Sequence, residues 1–144
     1  MKKVFSYVIP VNPVGKKNSE NIYINRKTGK AFISQNDRYK EFEIAASYFL
    51  RPKPDKPIDY PVNVKVLYYR NTHRRVDKTN LESAICDVLV KYGILEDDNR
   101  DIVAGTDFSR VYYDRDNPRL EIEITPLTEE YEVWHDKGRD AGRD

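Results

Sequence analysis

The spacing of apolar and polar positions divides the chain into alternating short elements. Phe5, Tyr7 and Ile9 alternate with Val4, Ser6 and Val8, which predicts a largely buried strand over residues 3–10. A loop rich in proline, glycine and lysine follows. Ile22-Tyr23-Ile24 and Ala31-Phe32-Ile33 flank Asn25–Lys30, a pattern that predicts a short hairpin with a basic tip. Residues 36–51 keep a helical period through Tyr39, Phe42, Ala45, Ala46 and Phe49, and Pro52 stops it. After a proline-rich connector, Val62, Val64, Val66 and Tyr68 share one face of a strand spanning 62–70. A second helix is expected over 80–92, because Leu81, Ala84, Ile85, Val88, Leu89 and Tyr92 recur at i, i+3, i+4, i+7, i+8 and i+11. Gly93 is its left-handed stop. Residues 101–113 read as one strand, Asp114–Pro118 as a hairpin loop, and Leu120, Ile122 and Ile124 as a strand whose other face, with Glu121 and Glu123, is wet.

This order predicts an α+β domain, a single mixed β-sheet carrying two helices, over residues 1–126, with a charged tail over 127–144 in which Tyr131 and Trp134 dock. Met1-Lys2-Lys3 before an apolar run imitates a secretory leader. The run is short and closes on Pro10 and Pro13 without a small-x-small cleavage site, so a first strand is expected instead. No stretch approaches the roughly 20 apolar residues of a membrane span. The single cysteine, Cys86, excludes an internal disulfide, and with only two histidines beside it a tetrahedral zinc site lacks ligands. A reducing, cytoplasmic setting is expected.

Net charge is near zero but unevenly distributed. Residues 1–53 hold eleven Lys/Arg against four Asp/Glu, leaving fourteen against twenty in residues 54–144. A polyanion partner fits that asymmetry, as does a scatter of solvated charges. Lys16, Lys17, Arg26, Lys27 and Lys30 are the candidates for phosphate contact. Tyr23 or Phe32 could stack on an unpaired base, although structural burial explains them better.

The densest chemistry flanks the second helix. Arg74-Arg75-Val76-Asp77-Lys78-Thr79-Asn80-Leu81 leads into it, and Glu96-Asp97-Asp98-Asn99 follows it. Hard oxygen donors suit magnesium, and neighbouring cations suit phosphate, so the pair of segments points to phosphodiester chemistry. The bland alternative is a capping box, in which the Thr79 hydroxyl and the Glu82 carboxylate satisfy amides at the helix start with Asp77 assisting through the dipole. A thirteen-residue helix is about 20 Å long, and the six residues from Gly93 to Asp98 extend at most roughly 20 Å. Asp98 therefore reaches Asp77 only by doubling straight back, or it meets the Asp77 of a second subunit.

Arg-Arg-x-Asp-x-x-Asn-Leu, the helix with Ala84 and Asp87-x-Leu89, Gly93 and then Asp97-Asp98 together resemble the signature of RusA, a family of Holliday-junction resolvases of bacteria and prophages. The similarity extends through Pro13, Asn18, Tyr23, Ser34 and Tyr39 and on to Leu120-Glu121-Ile122, about residues 5–126. It implies a homodimeric, Mg²⁺-dependent endonuclease, with Mn²⁺ as a substitute, that nicks four-way DNA junctions symmetrically and leaves 5′-phosphate and 3′-hydroxyl ends. On this resemblance Asp77 and Asp98 are the catalytic and metal-binding acids, and Asn80 either orients a ligand or caps the helix. Two positions depart from the family: Thr79 stands where a second aspartate is usual, and Ser83 where a DNA-contacting lysine is usual. Glu82, Asp97 or Asp101 could supply the missing carboxylate, and Lys78, Arg74 or Arg75 the missing cation. Leu67, Tyr69, Tyr112 and Tyr113 fit either a dimer interface or a core. The rival readings are a branched-DNA binding protein that does not cut, and an unrelated α+β protein whose acids merely cap a helix.

Overall fold

The computed structural model describes residues 2–16, 20–35 and 37–127, with 20–23 and 32–35 described in backbone only. The expected α+β architecture is observed: a five-stranded mixed sheet, a separate two-stranded sheet and two helices. In chain order these are β1 (Phe5–Ile9), β2 (Glu20–Ile24), β3 (Ala31–Gln35), α1 (Asp37–Ser47), β4 (Val62–Arg70), α2 (Lys78–Lys91), β5 (Val103–Gly105), β6 (Arg110–Tyr113) and β7 (Arg119–Pro126). Beyond Leu127 the predicted tail, with Tyr131 and Trp134, lies outside the described residues.

Alternation decides which sheet face is covered. Phe5, Tyr7 and Ile9 of β1, Val62, Val64, Val66 and Tyr68 of β4, and Leu120, Ile122 and Ile124 of β7 are all buried. They meet Leu81, Ala84, Ile85, Val88 and Leu89 of α2 and Tyr39, Phe42 and Ala46 of α1 in one core. The opposite face carries Ser6, Val8, Lys65, Leu67, Glu121 and Glu123. There Tyr69 stacks on Tyr112 with centroids 5.1 Å apart, and the Arg119 guanidinium lies 3.7 Å from the Tyr69 ring. Tyr112 and Tyr113 are both exposed, so they are not core residues, and the ring of Tyr113 stacks on His73.

Sheet order corrects the reading of the C-terminal half. β7 pairs antiparallel with β1 and with β4, while β5 and β6 both pair parallel with the other edge of β4. Asp114–Pro118 is therefore not a hairpin loop: β4 lies between β6 and β7, and the segment crosses over its end. The predicted strand 101–113 is two short strands. Phe108 adopts a left-handed φ of 68° in the turn between them, and the Asn63 side chain grips that turn, accepting from Asp107 N at 2.8 Å and donating to Asp107 O at 3.3 Å. Strand pairing resumes once Ser109 Oγ accepts from Val66 N at 3.0 Å, in a buried position. The first helix is also shorter than predicted. It ends at Ser47, whose Oγ donates to Ile44 O, and the following turn buries Leu50 while leaving Phe49 exposed.

α2 runs back along β4. Its C-terminal end is tied to the strand's beginning through Ile58, which donates to Ile94 O at 2.9 Å and whose carbonyl accepts from Glu96 N at 3.0 Å. Asp77 thus stands at the start of the fourteen-residue α2, about 21 Å long, while the chain leading to Asp97-Asp98 turns back beside the helix's C-terminal half, where Leu95 N donates to Leu89 O at 3.2 Å.

Candidate active site

Asp77 builds the start of α2. Its backbone is extended, and its Oδ1 accepts from Thr79 N at 3.2 Å and from Thr79 Oγ1 at 2.8 Å. The aspartate, not the threonine, is the N-cap, which overturns the predicted capping box. Thr79 and Glu82 lie inside the helix, and Glu82 faces Lys78 one turn away at 3.5 Å. The reason is electrostatic: a carboxylate at this position both satisfies a free amide and faces the positive end of the helix dipole. Among the described residues, Asp77 Oδ2 accepts nothing, so half of the carboxylate is open.

Asn80, one turn in, is buried. Its carbonyl accepts from Lys16 N at 3.5 Å, and a Cβ added to Gly15 would stand 2.4 Å from its Nδ2. Only glycine lets the 13–16 loop come this close, and the contact lays the loop along the Asn80–Asp87 face of the helix. Lys16 then pairs with Asp87. Residues 80 and 87 are two turns apart, the helical signal by which Asp87 could have been placed beside the site; sequence reasoning used it only as part of a motif.

The acidic turn has its own scaffold. Asp97 Oδ1 accepts from Asp98 N at 2.7 Å, its Oδ2 accepts from Asn99 Nδ2 at 3.0 Å, and Asn99 Oδ1 accepts from Asp101 N at 2.9 Å. These bonds hold the Asp98 carboxyl against α2. Its pKa is raised above the ordinary aspartate value, first by burial, then by a hydrogen bond with the Asp97 side chain and by the charges of Asp87 and Asp97. Beside it the buried Cys86 thiol is pushed up to about 12 by burial and by Asp98, Glu82 and Asp87. The Tyr68 hydroxyl, buried without a hydrogen-bond partner, has its pKa raised by burial and by Glu82 and Cys86. Asp98, Asp97 and Asp87 are therefore one electrostatic group. No group of three or more His, Cys, Asp or Glu side chains among the described residues is arranged to hold a metal ion.

The other predicted contacts are dispersed. Arg26, Lys27 and Lys30 are exposed at the β2–β3 tip, where Asn25 Oδ1 accepts from Lys27 N and Thr28 N and Gly29 takes a φ of 71°. Arg74 and Arg75 are exposed on the approach to α2, and Lys78 pairs with Glu82. Lys17 and the side chains of Tyr23 and Phe32 lie outside the described residues.

The family model described as endodeoxyribonuclease RusA matches residues 10–125, from the loop that carries Lys16 to the end of β7. The chain belongs to the RusA family. No curated protein sequence matches it. The RusA match takes in both acidic segments and every strand of the main sheet except β1, with β7 covered to its penultimate residue. RusA proteins are endodeoxyribonucleases that act on Holliday junctions, so an enzyme acting on branched DNA is the plain expectation for this chain. No helix among the described residues is long and apolar enough to cross a membrane.

Proposed function

We propose that this protein is a Mg²⁺-dependent resolvase that nicks four-way DNA junctions in pairs, and that each of its two active sites is completed between subunits of a homodimer. What supports this reading is that Asp77 is the N-cap of α2 whereas Asp98 groups with Asp87, nearly three turns further along the helix. Asp77 caps one end, while Asp98 sits with Asp87 and Asp97, and ten residues of helix between positions 77 and 87 rise about 15 Å. A two-fold axis would bring Asp77 of one subunit toward Asp98 of the other, and would generate two equivalent sites matching the symmetry of a junction.

The donor chemistry fits magnesium, which takes hard oxygen ligands and retains water. Asp77, through its open Oδ2, and Asp98 would hold it, with Asp87, Asp97 or Glu82 as the further acid that Thr79 does not provide. When bound, such an ion supplies an activated water and neutralises charge growing on phosphorus. The chain's own contribution is positioning. Thr79 fixes the Asp77 rotamer with two hydrogen bonds, Asp97 and Asn99 fix the turn, and Lys16, held on Asp87, places an ammonium group beside the acids where a scissile phosphate would arrive. Lys27, Arg26, Lys30, Arg74 and Arg75 would grip phosphates further away, with affinity that falls as salt rises.

Mixing two inactive variants tests the shared site. Asp77→Asn and Asp98→Asn are each expected to bind junctions without nicking them. Co-refolded, they form mixed dimers in which one shared site has both natural aspartates, so nicking of one strand returns. If each subunit carried its own site, every mixed dimer would lack an intact one and nicking would stay absent. Calorimetry with Mn²⁺ gives a second readout, since uptake requires the dimer.

One observation favours a second reading, a branched-DNA binding protein without cleavage. Thr79 stands where a carboxylate is usual, and among the described residues of one subunit no three acidic, His or Cys side chains are arranged to hold a metal ion. Junction gel shifts with and without Mg²⁺ separate the two: retarded junction with no nicked product supports the binding protein.

A further inference from the structure

A groove of about 1020 Å³ lies where β1 begins, β7 ends and the connector crosses toward β4. Its floor is apolar, with Phe5, Ile58 and Tyr60. Its rim carries Lys2, Lys3, Lys53 and Lys56 against Asp55. None of these lysines is among the phosphate-contact candidates named from the sequence. The groove's wall is fixed: Tyr7 Oη donates to Pro52 O at 2.6 Å, and Leu127 N donates to Pro61 O at 3.3 Å. Lys2 Nζ stands 4.6 Å from the Tyr60 ring, and Lys53 Nζ 6.0 Å from the ring of Tyr92 at the C-terminal end of α2. Lys56 leans toward Asp59 at 3.4 Å but stays largely exposed.

We infer that this groove is a track for the sugar-phosphate backbone of one duplex arm, with Lys3, Lys53 and Lys56 as its phosphate contacts. Ammonium groups on flexible stems, spread over two chain segments along an open trough, suit a chain of repeating phosphates. A single small anion would be gripped by a planar fork or by clustered backbone amides, and the rim offers neither. The groove also adjoins the acidic turn. Lys56 is two residues from Ile58, Asp98 is two residues from Glu96, and Ile58 and Glu96 are hydrogen-bonded. The Cα atoms of Lys56 and Asp98 are therefore within about 20 Å, less than the roughly 34 Å of one duplex turn. Backbone in the groove would belong to the same arm that presents a phosphate to Asp98. That the polyanion is DNA rests on the nuclease reading; the groove's charge and shape do not.

The test is the double variant Lys53→Glu/Lys56→Glu, with Lys53→Gln/Lys56→Gln beside it, assayed for binding to a four-way junction and to a linear duplex of one arm's sequence. Binding is measured in EDTA over a salt series. Both lysines are exposed, so an unchanged melting temperature certifies the fold. The charge-reversed variant is expected to bind about ten-fold more weakly at moderate salt. In the neutral variant the slope of log affinity against log salt should shrink by roughly two, the value for two lost phosphate contacts. Linear duplex should lose the same factor, because a backbone track reads no branch, while nicking at saturating junction should stay within about two-fold. Unchanged affinity and slope in both variants, or a wild-type protein that binds neither DNA, would overturn the track. Because no step of the binding assay involves cleavage, a wild type that binds but never nicks sinks the nuclease reading and leaves the track standing.

Discussion

The two ends of α2 carry the same side chain in opposite settings. Both carboxylates are exposed, but at the start Asp77 is engaged in a local cap, with Thr79 donating twice to one of its oxygens. Past the end, Asp98 is pressed toward other acids and its pKa is raised by burial and by Asp97 and Asp87. A cap stabilises its helix with or without a ligand, whereas a gathering of carboxylates repels itself until a cation or a proton arrives. On the proposed reading, the Asp98 end is where a cation would relieve repulsion beyond what Lys16 on Asp87 already relieves, and Asp77 would be a further donor.

The sharpest way to break this comparison is to remove each charge while keeping its shape. Asp98→Asn and Asp77→Asn should each lower nicking by about a hundred-fold or more, the scale on which a transition-state charge partner is lost, with junction affinity unchanged or raised. Cutting preserved in either variant would remove that end from the site.

A second test addresses the loop that ties Lys16 to this face. Gly15→Ala places a methyl group 2.4 Å from Asn80 Nδ2, in a side chain buried under the loop, so that side chain or the loop must shift. The expected cost is about 1–3 kcal/mol in chemical denaturation. Adding Asn80→Ala should recover part of it, since the clash is with that side chain. A single variant as stable as wild type would mean the loop sits further from α2.

How much of this was legible in the sequence follows from how local each signal is. The stripe Leu81 to Leu89 and the alternations in β1, β4 and β7 were readable because burial repeats with the element's own period. The cap was misassigned by two residues because Asp77, Thr79 and Glu82 are all competent capping side chains, and only the backbone angles at Asp77 choose among them. The break between β5 and β6 depends on Asn63, more than forty residues away, gripping a turn with an unusual phenylalanine, and no local pattern encodes that. The crossover of β4 between β6 and β7 is likewise a long-range pairing. At the site, Asp77 and Asp98 were found through a motif, while the partnership of Asp98 with Asp87, and of Asp87 with Lys16, needed the loop to be laid on the helix.

The cap can be separated from the chemistry. Asparagine is as good an N-cap as aspartate, whereas alanine is not. Asp77→Ala should therefore lower stability by about 1 kcal/mol, and Asp77→Asn should be close to neutral in thermal melts. Melting temperatures equal to wild type in both variants would mean the cap contributes little, and an equally large loss in both would tie the stability to the charge rather than to the hydrogen bonds.

The smallest expected effect bears directly on the Asp98 end. An acid whose folded-state pKa lies above its unfolded value holds its proton longer in the native protein. Its stabilising contribution is complete below the unfolded value, near 3.8, and is lost as pH rises through the folded one. At neutral pH ionised Asp98 is therefore slightly unfavourable to the fold, and Asp98→Asn should melt about 1–2 °C higher than wild type in metal-free buffer, the shift that a few tenths of a kcal/mol produces in a domain of this size. Well below the ordinary value of 3.8, where the carboxyl is protonated in folded and unfolded chains alike, the gain should vanish. Magnesium added at neutral pH should raise the wild type toward the variant, because a bound cation removes the repulsion that the substitution removes. A gain of the same size at both pH values would show that the asparagine acts through packing, and a lower melting temperature at neutral pH would show that the turn depends on the ionised carboxylate, in which case Asp97 and Asp87 are not the neighbours that set its energetics.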